Sequence, residues 1–134
     1  MSLEVVMLPV TDVDASLSFY RDKVGFILDH DIAPGNGMRV VQLTPVGSSC
    51  SIVFGAGIGG LAAPGSVRNT HLVVDDLETV RDELIANGVS VGPVADLGGV
   101  RYAYFDDPDG NTWALQQIDS KMPPANHADQ PTPE

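Results

Sequence analysis

The chain is 134 residues long, which fits a single domain. Seven Lys and Arg stand against 18 Asp and Glu, and the net charge of −11 is the opposite of the basic surface that binds nucleic acids or anionic membranes. The acidity instead favours a cationic small-molecule partner. No apolar run approaches the roughly 20 residues that span a bilayer, no secretory signal pattern opens the sequence, and the single Cys50 excludes an internal disulfide. We therefore expect a cytoplasmic protein.

The first half of the chain predicts one strand, one helix and three further strands. Residues 3–10 are predicted to form a strand, and Thr11 or Asp12 can cap the following helix by accepting hydrogen bonds from its free amides. Apolar side chains at helical spacing continue to Gly25, where the helix is predicted to end. Further strands are predicted at residues 26–33, 38–44 and 50–54.

The second half of the chain has the same order of elements. A strand is predicted at residues 70–74, and Leu77, Val80 and Leu84 line a helix that ends at Gly88. Further strands are predicted at residues 89–94, 101–106 and 112–118. The sequence therefore predicts two βαβββ modules in an α+β fold.

A glycine-rich segment at residues 55–60 separates the halves and has the glycine spacing of a dinucleotide-binding loop. Such a loop needs a helix directly behind it, and Pro64 and Gly65 leave no room for one, so we interpret the segment as a linker. The polar, Pro-rich composition of residues 119–134 predicts a mobile tail. We expect one domain over residues 1–118, with module one at about 3–54, the linker at 55–68 and module two at about 69–118.

Two motifs carry a family resemblance. VTDVDASLSFYRDKVGF opens the first helix, and FDDPDGNTWALQQI closes the second half; the two halves also match each other at offsets of 63 and 64 residues. The doubled βαβββ unit resembles the vicinal oxygen chelate superfamily, which contains glyoxalases, bleomycin-resistance proteins and extradiol dioxygenases. The resemblance implies curled mixed sheets around a cleft, with the helices outside. Many members of that superfamily are homodimers, so the resemblance also implies a homodimer. Its enzyme members hold a divalent metal on the first and last strands of each module.

The family's metal-ligand positions can be located by counting from these motifs. Seven residues before the helix-opening Asp stand Val5 and Asn69, and four residues after the turn glycine stand Ser51 and Ala114. None of these side chains is a strong ligand for a divalent ion, and two have no donor atom. We therefore predict that the usual metal is absent and that no cofactor is bound, with a displaced divalent metal as the alternative.

Strand alternation indicates which side chains face the cleft. Successive residues of a strand point to opposite faces of a sheet, and the more apolar set belongs under the helices. The predicted ligand-binding set is Met7, Ser51, Val53, Asn69, His71, Ala114 and Gln116. Tyr102 and Tyr104 join it because they share one face of a third strand, although the sequence does not fix which face.

His71 and Gln116 form the most distinctive polar pair among these residues. Each lies two residues beyond an expected ligand position, and the two strands are parallel neighbours in the family fold, so the pair is predicted to stay together. One interpretation gives His71 a catalytic or ligand-orienting role with Gln116 as its partner. The other treats His71 as a side chain whose hydrogen bonds are satisfied inside a filled interior.

Arg39 and Arg101 lie on the third strands and have two interpretations as well. Either they rim the cleft, or they form exposed ion pairs with the abundant acidic residues, which we favour.

Three functions remain open from the sequence. The first is a glyoxalase/bleomycin-resistance-like protein that binds a small organic molecule without metal and sequesters an antibiotic or metabolite. The second is a lyase, isomerase or dioxygenase of the same superfamily with a non-standard site around His71. The third is a protein-interaction module with a closed cleft. A two-fold homodimer is expected, because the family resemblance implies one and because open four-stranded sheets need their edges protected.

Overall fold

A computed structural model describes residues 1–58 and 62–118 and shows two consecutive units with the same order of elements. The predicted tail at 119–134 and residues 59–61 of the predicted linker lie outside the described residues. The first unit contains β1 (Val5–Met7), α1 (Val13–Ser18), β2 (Ile27–Gly35), β3 (Met38–Thr44) and β4 (Ser51–Ala56). The second contains β5 (Thr70–Val73), α2 (Leu77–Ala86), β6 (Ala95–Leu97), β7 (Val100–Asp106) and β8 (Thr112–Ile118).

Each unit forms one four-stranded mixed sheet. The strand order is β1-β4-β3-β2 in sheet one and β5-β8-β7-β6 in sheet two. The first and last strands of each unit are parallel neighbours, and the other pairs are antiparallel. The predicted α+β fold of two βαβββ modules is confirmed. Within the described residues, neither helix has the length and apolarity needed to cross a membrane.

Both helices begin at the predicted acidic caps. Asp12 accepts a hydrogen bond from the backbone N–H of Ala15 (3.1 Å), and Asp76 accepts one from Thr79 (3.1 Å). The Thr79 hydrogen bond lowers the pKa of Asp76, because it stabilises the charged carboxylate. Helix α1 continues as wider π-helical turns over Phe19–Val24 and ends at Gly25, whose φ of 90° favours glycine.

The second strand of module two differs from its prediction. The strand expected at residues 89–94 is wrong: β6 lies at Ala95–Leu97, and Val91 makes one isolated bridge to Phe105. Val89 and Val91 are buried, so their alternating pattern comes from packing in the core. Pro93 has no N–H to donate to a ladder, which explains the break in pairing.

One hydrophobic core joins the two units. It lies between the helices and the inner faces of both sheets, and contains side chains such as Leu17, Leu43, Phe54, Leu77 and Leu115. Because both units contribute to a single buried cluster, they are expected to fold as one cooperative body.

Tyr20 lies at the centre of this core and connects the units. Its ring contacts Phe54 of sheet one and Trp113 of sheet two, at centroid distances of 5.9 and 5.7 Å. Its hydroxyl donates to the buried Asp107 carboxylate (2.7 Å) and accepts from the indole N–H of Trp113 (2.9 Å). Burial, reinforced by Asp107, raises the pKa of Tyr20 far above its usual value, so the hydroxyl stays neutral.

Candidate functional site

Each sheet has an inner face against the helices and a second face directed away from them, which we call its open face. In β8, Trp113 and Leu115 belong to the core, whereas Gln116 lies on the other side and is half-buried. In β4, Ile52 and Phe54 belong to the core while Val53 does not. The alternation therefore places the predicted strand residues on the open faces, as the sequence indicates.

Four predicted side chains meet on the open face of sheet two. The amide of Gln116 donates to the hydroxyl of Tyr102 (3.0 Å). The ring of His71 stands edge-on to Tyr102 with centroids 5.9 Å apart, and Tyr102 and Tyr104 are nearly parallel at 6.2 Å. The sequence did not determine which face of the sheet Tyr102 and Tyr104 occupy. In the structure they lie on the open face, beside His71 and Gln116. We call these four residues the His71 cluster.

His71 has a defined tautomer in its neutral form. Its Nδ1 lies 2.6 Å from the backbone oxygen of Asn69, and a carbonyl oxygen only accepts, so Nδ1 carries the hydrogen. The Nε2 atom therefore has a free lone pair when the ring is neutral. His71 is exposed, so this lone pair can serve a bound molecule.

The register of module two differs from the count based on the motifs. His71 lies opposite Ala114 and Val73 lies opposite Gln116. The first-strand position opposite Ala114 is therefore occupied by His71, and not by Asn69 as the motif count gives. Asn69 precedes β5 and has a φ of 55°, so strand alternation does not assign it to the open face.

This difference in register arises because the connection between β5 and α2 is shorter than the connection between β1 and α1. In module one, Leu8 donates to the Val53 carbonyl and is four residues before Asp12. The corresponding bond in module two comes from Val74, which is two residues before Asp76. Counting back from the helix therefore places the strand position two residues too early.

These side chains do not fit the metal that enzyme members of the family hold. Val5 lies opposite Ser51 in sheet one, as His71 lies opposite Ala114 in sheet two. His71 is the strong ligand among these four, and Ser51 is already hydrogen-bonded to Thr44. Across residues 1–58 and 62–118, no three His, Cys, Asp or Glu side chains lie close enough together to hold a metal ion.

The open face of sheet one is largely aliphatic and has one series of hydrogen-bonded polar side chains. Val5 and Met7 are 44% and 40% exposed, and Met7 lies opposite Val53. Beside them, the hydroxyls of Ser51 and Thr44 are 2.6 Å apart, and Thr44 donates to the carboxylate of Asp29. Sequence reasoning missed both Asp29 and Thr44. Alternation with the buried Val41 and Leu43 could have found Thr44, whereas alternation alone does not reveal the irregular register of β2 that brings Asp29 to it.

The two arginines lie on the helix-facing sides of their sheets. Arg39 donates to Asp14 (2.7 Å) and Asp31 (2.9 Å), and the guanidinium lowers the pKa of Asp31. Arg101 pairs with Glu78 at 3.3 Å. The favoured interpretation as ion pairs therefore holds, and neither arginine belongs to the His71 cluster.

A cavity of about 400 Å³ adjoins one end of the cluster. Tyr104 forms part of its wall together with Phe19, Lys23 and Asp106. This cavity is a depression that is largely open to solvent, and not an enclosed pocket.

Comparisons with known proteins agree with this architecture. Residues 2–115 match the family model described as Glyoxalase/Bleomycin resistance protein/Dioxygenase superfamily, and the chain belongs to this family. It is similar to TnmS3, an antibiotic binding protein from Streptomyces sp. CB03234, with 33% identity, 89% of this chain and 97% of that chain covered, and a TM-score of 0.79.

Two further relatives extend the comparison. A glyoxalase/bleomycin resistance protein from the same Streptomyces strain is 34% identical, with 87% of this chain and all of that chain (100%) covered and a TM-score of 0.75. CFP32 of Mycobacterium bovis is 29% identical over 114 residues, which are 84% of this chain but 44% of that protein. The chain thus spans less than half the length of this curated relative.

Proposed function

We propose that this protein binds a small organic molecule on its open sheet faces and sequesters it without a metal. The observation that carries the proposal is the His71 cluster. Three neighbouring strands, β5, β7 and β8, bring an imidazole, two phenol rings and an amide together on the open face of sheet two. Aromatic faces supply contact area, and a few polar atoms fix the orientation of a ligand.

An antibiotic or a related metabolite is the class of ligand that we favour. The similarity to an antibiotic binding protein supports this choice. The net charge of −11 raises the local concentration of cations, which supports a basic ligand over an anionic one. The cytoplasmic location expected from the sequence remains a prediction.

We also propose that a second copy of the chain is the macromolecular partner. Apolar side chains on both open faces are 40% to 69% exposed, and a partner that covers them would remove this apolar surface from water; examples are Val5, Met7, Val73 and Ile118. A two-fold homodimer that encloses the clefts would cover part of this area. Light scattering at micromolar concentration is expected to give twice 14.1 kDa, and a stable monomer of 14.1 kDa would overturn the dimer.

The binding function can be tested by a ligand screen followed by substitution. A thermal-shift screen of antibiotics is expected to return at least one stabilising compound. Affinity for that compound should fall about 5- to 100-fold in His71→Ala and in Gln116→Ala, because a desolvated ligand group loses its partner. Arg101→Gln, on the helix-facing side, serves as the control with unchanged affinity. Equal affinities in all variants would refute the site.

One observation favours catalysis as a second candidate function. The free lone pair on Nε2 of His71 makes this side chain a potential proton acceptor for a lyase or isomerase of the glyoxalase kind. The test substrate is the hemithioacetal of methylglyoxal and glutathione. Turnover that disappears in His71→Ala would establish the enzyme, and turnover that persists in this variant would not.

Metal content separates the two candidates further. For the binding protein, elemental analysis after purification without chelator should find far less than one equivalent of zinc, nickel, iron or manganese. One equivalent that is lost on replacing His71 would instead establish a displaced divalent metal site and favour a metal-dependent lyase or dioxygenase.

A further inference from the structure

A chain of hydrogen bonds crosses the open face of sheet one and has no counterpart in the sequence prediction. It connects Ser51 on β4, Thr44 on β3 and Asp29 on β2. Ser51 is buried, with 7% of its surface exposed, whereas Asp29 is exposed. The chain therefore runs from solvent inward along the sheet to a position opposite Val5.

The direction of these hydrogen bonds follows from the chemistry of the groups. An ionised carboxylate only accepts hydrogen bonds, so the Thr44 hydroxyl donates its single hydrogen to Asp29. The hydrogen between the two hydroxyls must then come from Ser51. Ser51 has no further hydrogen to donate, and its oxygen can only accept from another molecule. This face is therefore complementary to a hydrogen-bond donor.

The backbone of β2 is irregular at Asp29, where this series of hydrogen bonds ends. Leu28 lies opposite Leu43 and His30 opposite Gln42, so Asp29 is an extra residue without a partner on β3. Such a bulge redirects a side chain that regular alternation would place elsewhere, and bulges are frequent beside binding sites. Here it allows Asp29 to reach Thr44.

Asp29 retains acceptor capacity after this bond. Thr44 binds Oδ2, and within residues 1–58 and 62–118 no hydrogen bond reaches Oδ1. Sheet two has no equivalent arrangement, because Ala114 stands where sheet one has Ser51 and carries no polar side-chain atom. The acceptor pattern is therefore specific to sheet one.

We propose that Asp29, Thr44 and Ser51 form a subsite for a protonated amine of the bound molecule. The ammonium group has donors for both Ser51 Oγ and the free carboxylate oxygen of Asp29, and its charge complements the carboxylate. This subsite rests on the proposed binding function, and it specifies the ligand class as an amine-bearing organic molecule with an apolar body for the surrounding aliphatic side chains.

A matched pair of small probes tests the subsite. 2-(1-Naphthyl)ethylamine is positively charged, and the corresponding methyl ether, 1-(2-methoxyethyl)naphthalene, has the same ring but no donor. Amide chemical shifts of the ¹⁵N-labelled protein are followed during titration with each probe. The amine is expected to shift the amides around Asp29, Thr44 and Ser51 and to bind about 10-fold more tightly than the ether.

The key variant is Asp29→Asn, whose amide oxygen still accepts from Thr44, so the fold is retained. It should lose about 10-fold in affinity for the amine and nothing for the ether, because only the charged contact is removed. Asp82→Asn, on the exposed side of α2, removes the same charge elsewhere and should leave both affinities unchanged.

The possible failures are distinguishable. If both probes shift the His71 cluster equally in the wild type and in Asp29→Asn, the binding function stands and the amine subsite is refuted. If Asp29→Asn and Asp82→Asn weaken amine binding alike, the effect is general electrostatics and the subsite is also refuted. If neither probe shifts any open-face amide, the subsite and the proposed function both fail for ligands of this class.

Discussion

The two units share one plan on their inner faces and differ on their open faces. Ile52 and Leu115 occupy equivalent middle-strand positions and both are buried in the common core. On the open sides, sheet one carries aliphatic side chains and the Ser51 chain of hydrogen bonds, whereas sheet two carries the His71 cluster. Packing in a shared core restricts what can change on an inner face. The open faces are free of that restriction, and the two modules differ there in their polar and aromatic side chains.

The largest expected effect tests whether the inner faces are equivalent. Ile52→Ala and Leu115→Ala should each lower the free energy of unfolding by about 2–5 kcal/mol, because each leaves a cavity in the core. Gln116→Ala, beside Leu115 but on the open face, should cost less than about 1 kcal/mol, since water can replace its contacts. Urea unfolding followed by circular dichroism measures all three.

The shape of these unfolding curves is also informative. One core predicts a single transition that moves to lower urea in both core variants. A curve with two steps, in which Leu115→Ala shifts only one, would contradict the shared core and show that the units unfold separately.

A smaller effect is expected where Tyr20 connects the units. Tyr20→Phe keeps the ring but leaves the Asp107 carboxylate and the Trp113 N–H without their shared partner, so we expect a loss of about 1–3 kcal/mol. Tyr104→Phe is the matched control on the open face, where Tyr104 is 44% exposed, and should be nearly neutral. Thermal melting compares the two variants, and equal losses would argue against the Tyr20 connection.

The pH dependence of Tyr20 has a definite sign. Its pKa is raised in the folded protein, so the stability that the neutral hydroxyl provides is complete below the ordinary tyrosine value of 10.0 and declines as the pH rises above it. Wild-type protein should therefore lose stability above this pH more steeply than Tyr20→Phe. Parallel pH profiles would contradict this cause.

The smallest effect concerns the arginines on the helix-facing sides. Arg39 pairs with two carboxylates and Arg101 with one, so Arg39→Gln should alter stability more than Arg101→Gln, and added salt should reduce both effects. The pKa of Asp31 is lowered by Arg39, so this contribution is present above the ordinary Asp pKa and is lost as the pH falls. Melting temperatures of wild type and Arg39→Gln should therefore converge in acid.

The sequence by itself determined the order of elements and most of the facing pattern. The repeat spacing, the acidic helix caps and the alternation of apolar residues each depend on local geometry, which the chain carries in its own residues. Alternation also linked Tyr102 to Tyr104 without the structure. It could not choose their face, since a period of two gives only relative sides.

Tertiary structure decided the remaining parts of the site. The position of His71 opposite Ala114 depends on a connection to α2 that is two residues shorter than its counterpart, and motif counting cannot detect how the strand then pairs. The contact between Asp29 and Thr44 depends on a bulge that exists only when β2 is paired with β3. Register and bulges arise from contacts between distant segments, so they are properties of the packed sheets, whereas periodicity is a property of each segment alone.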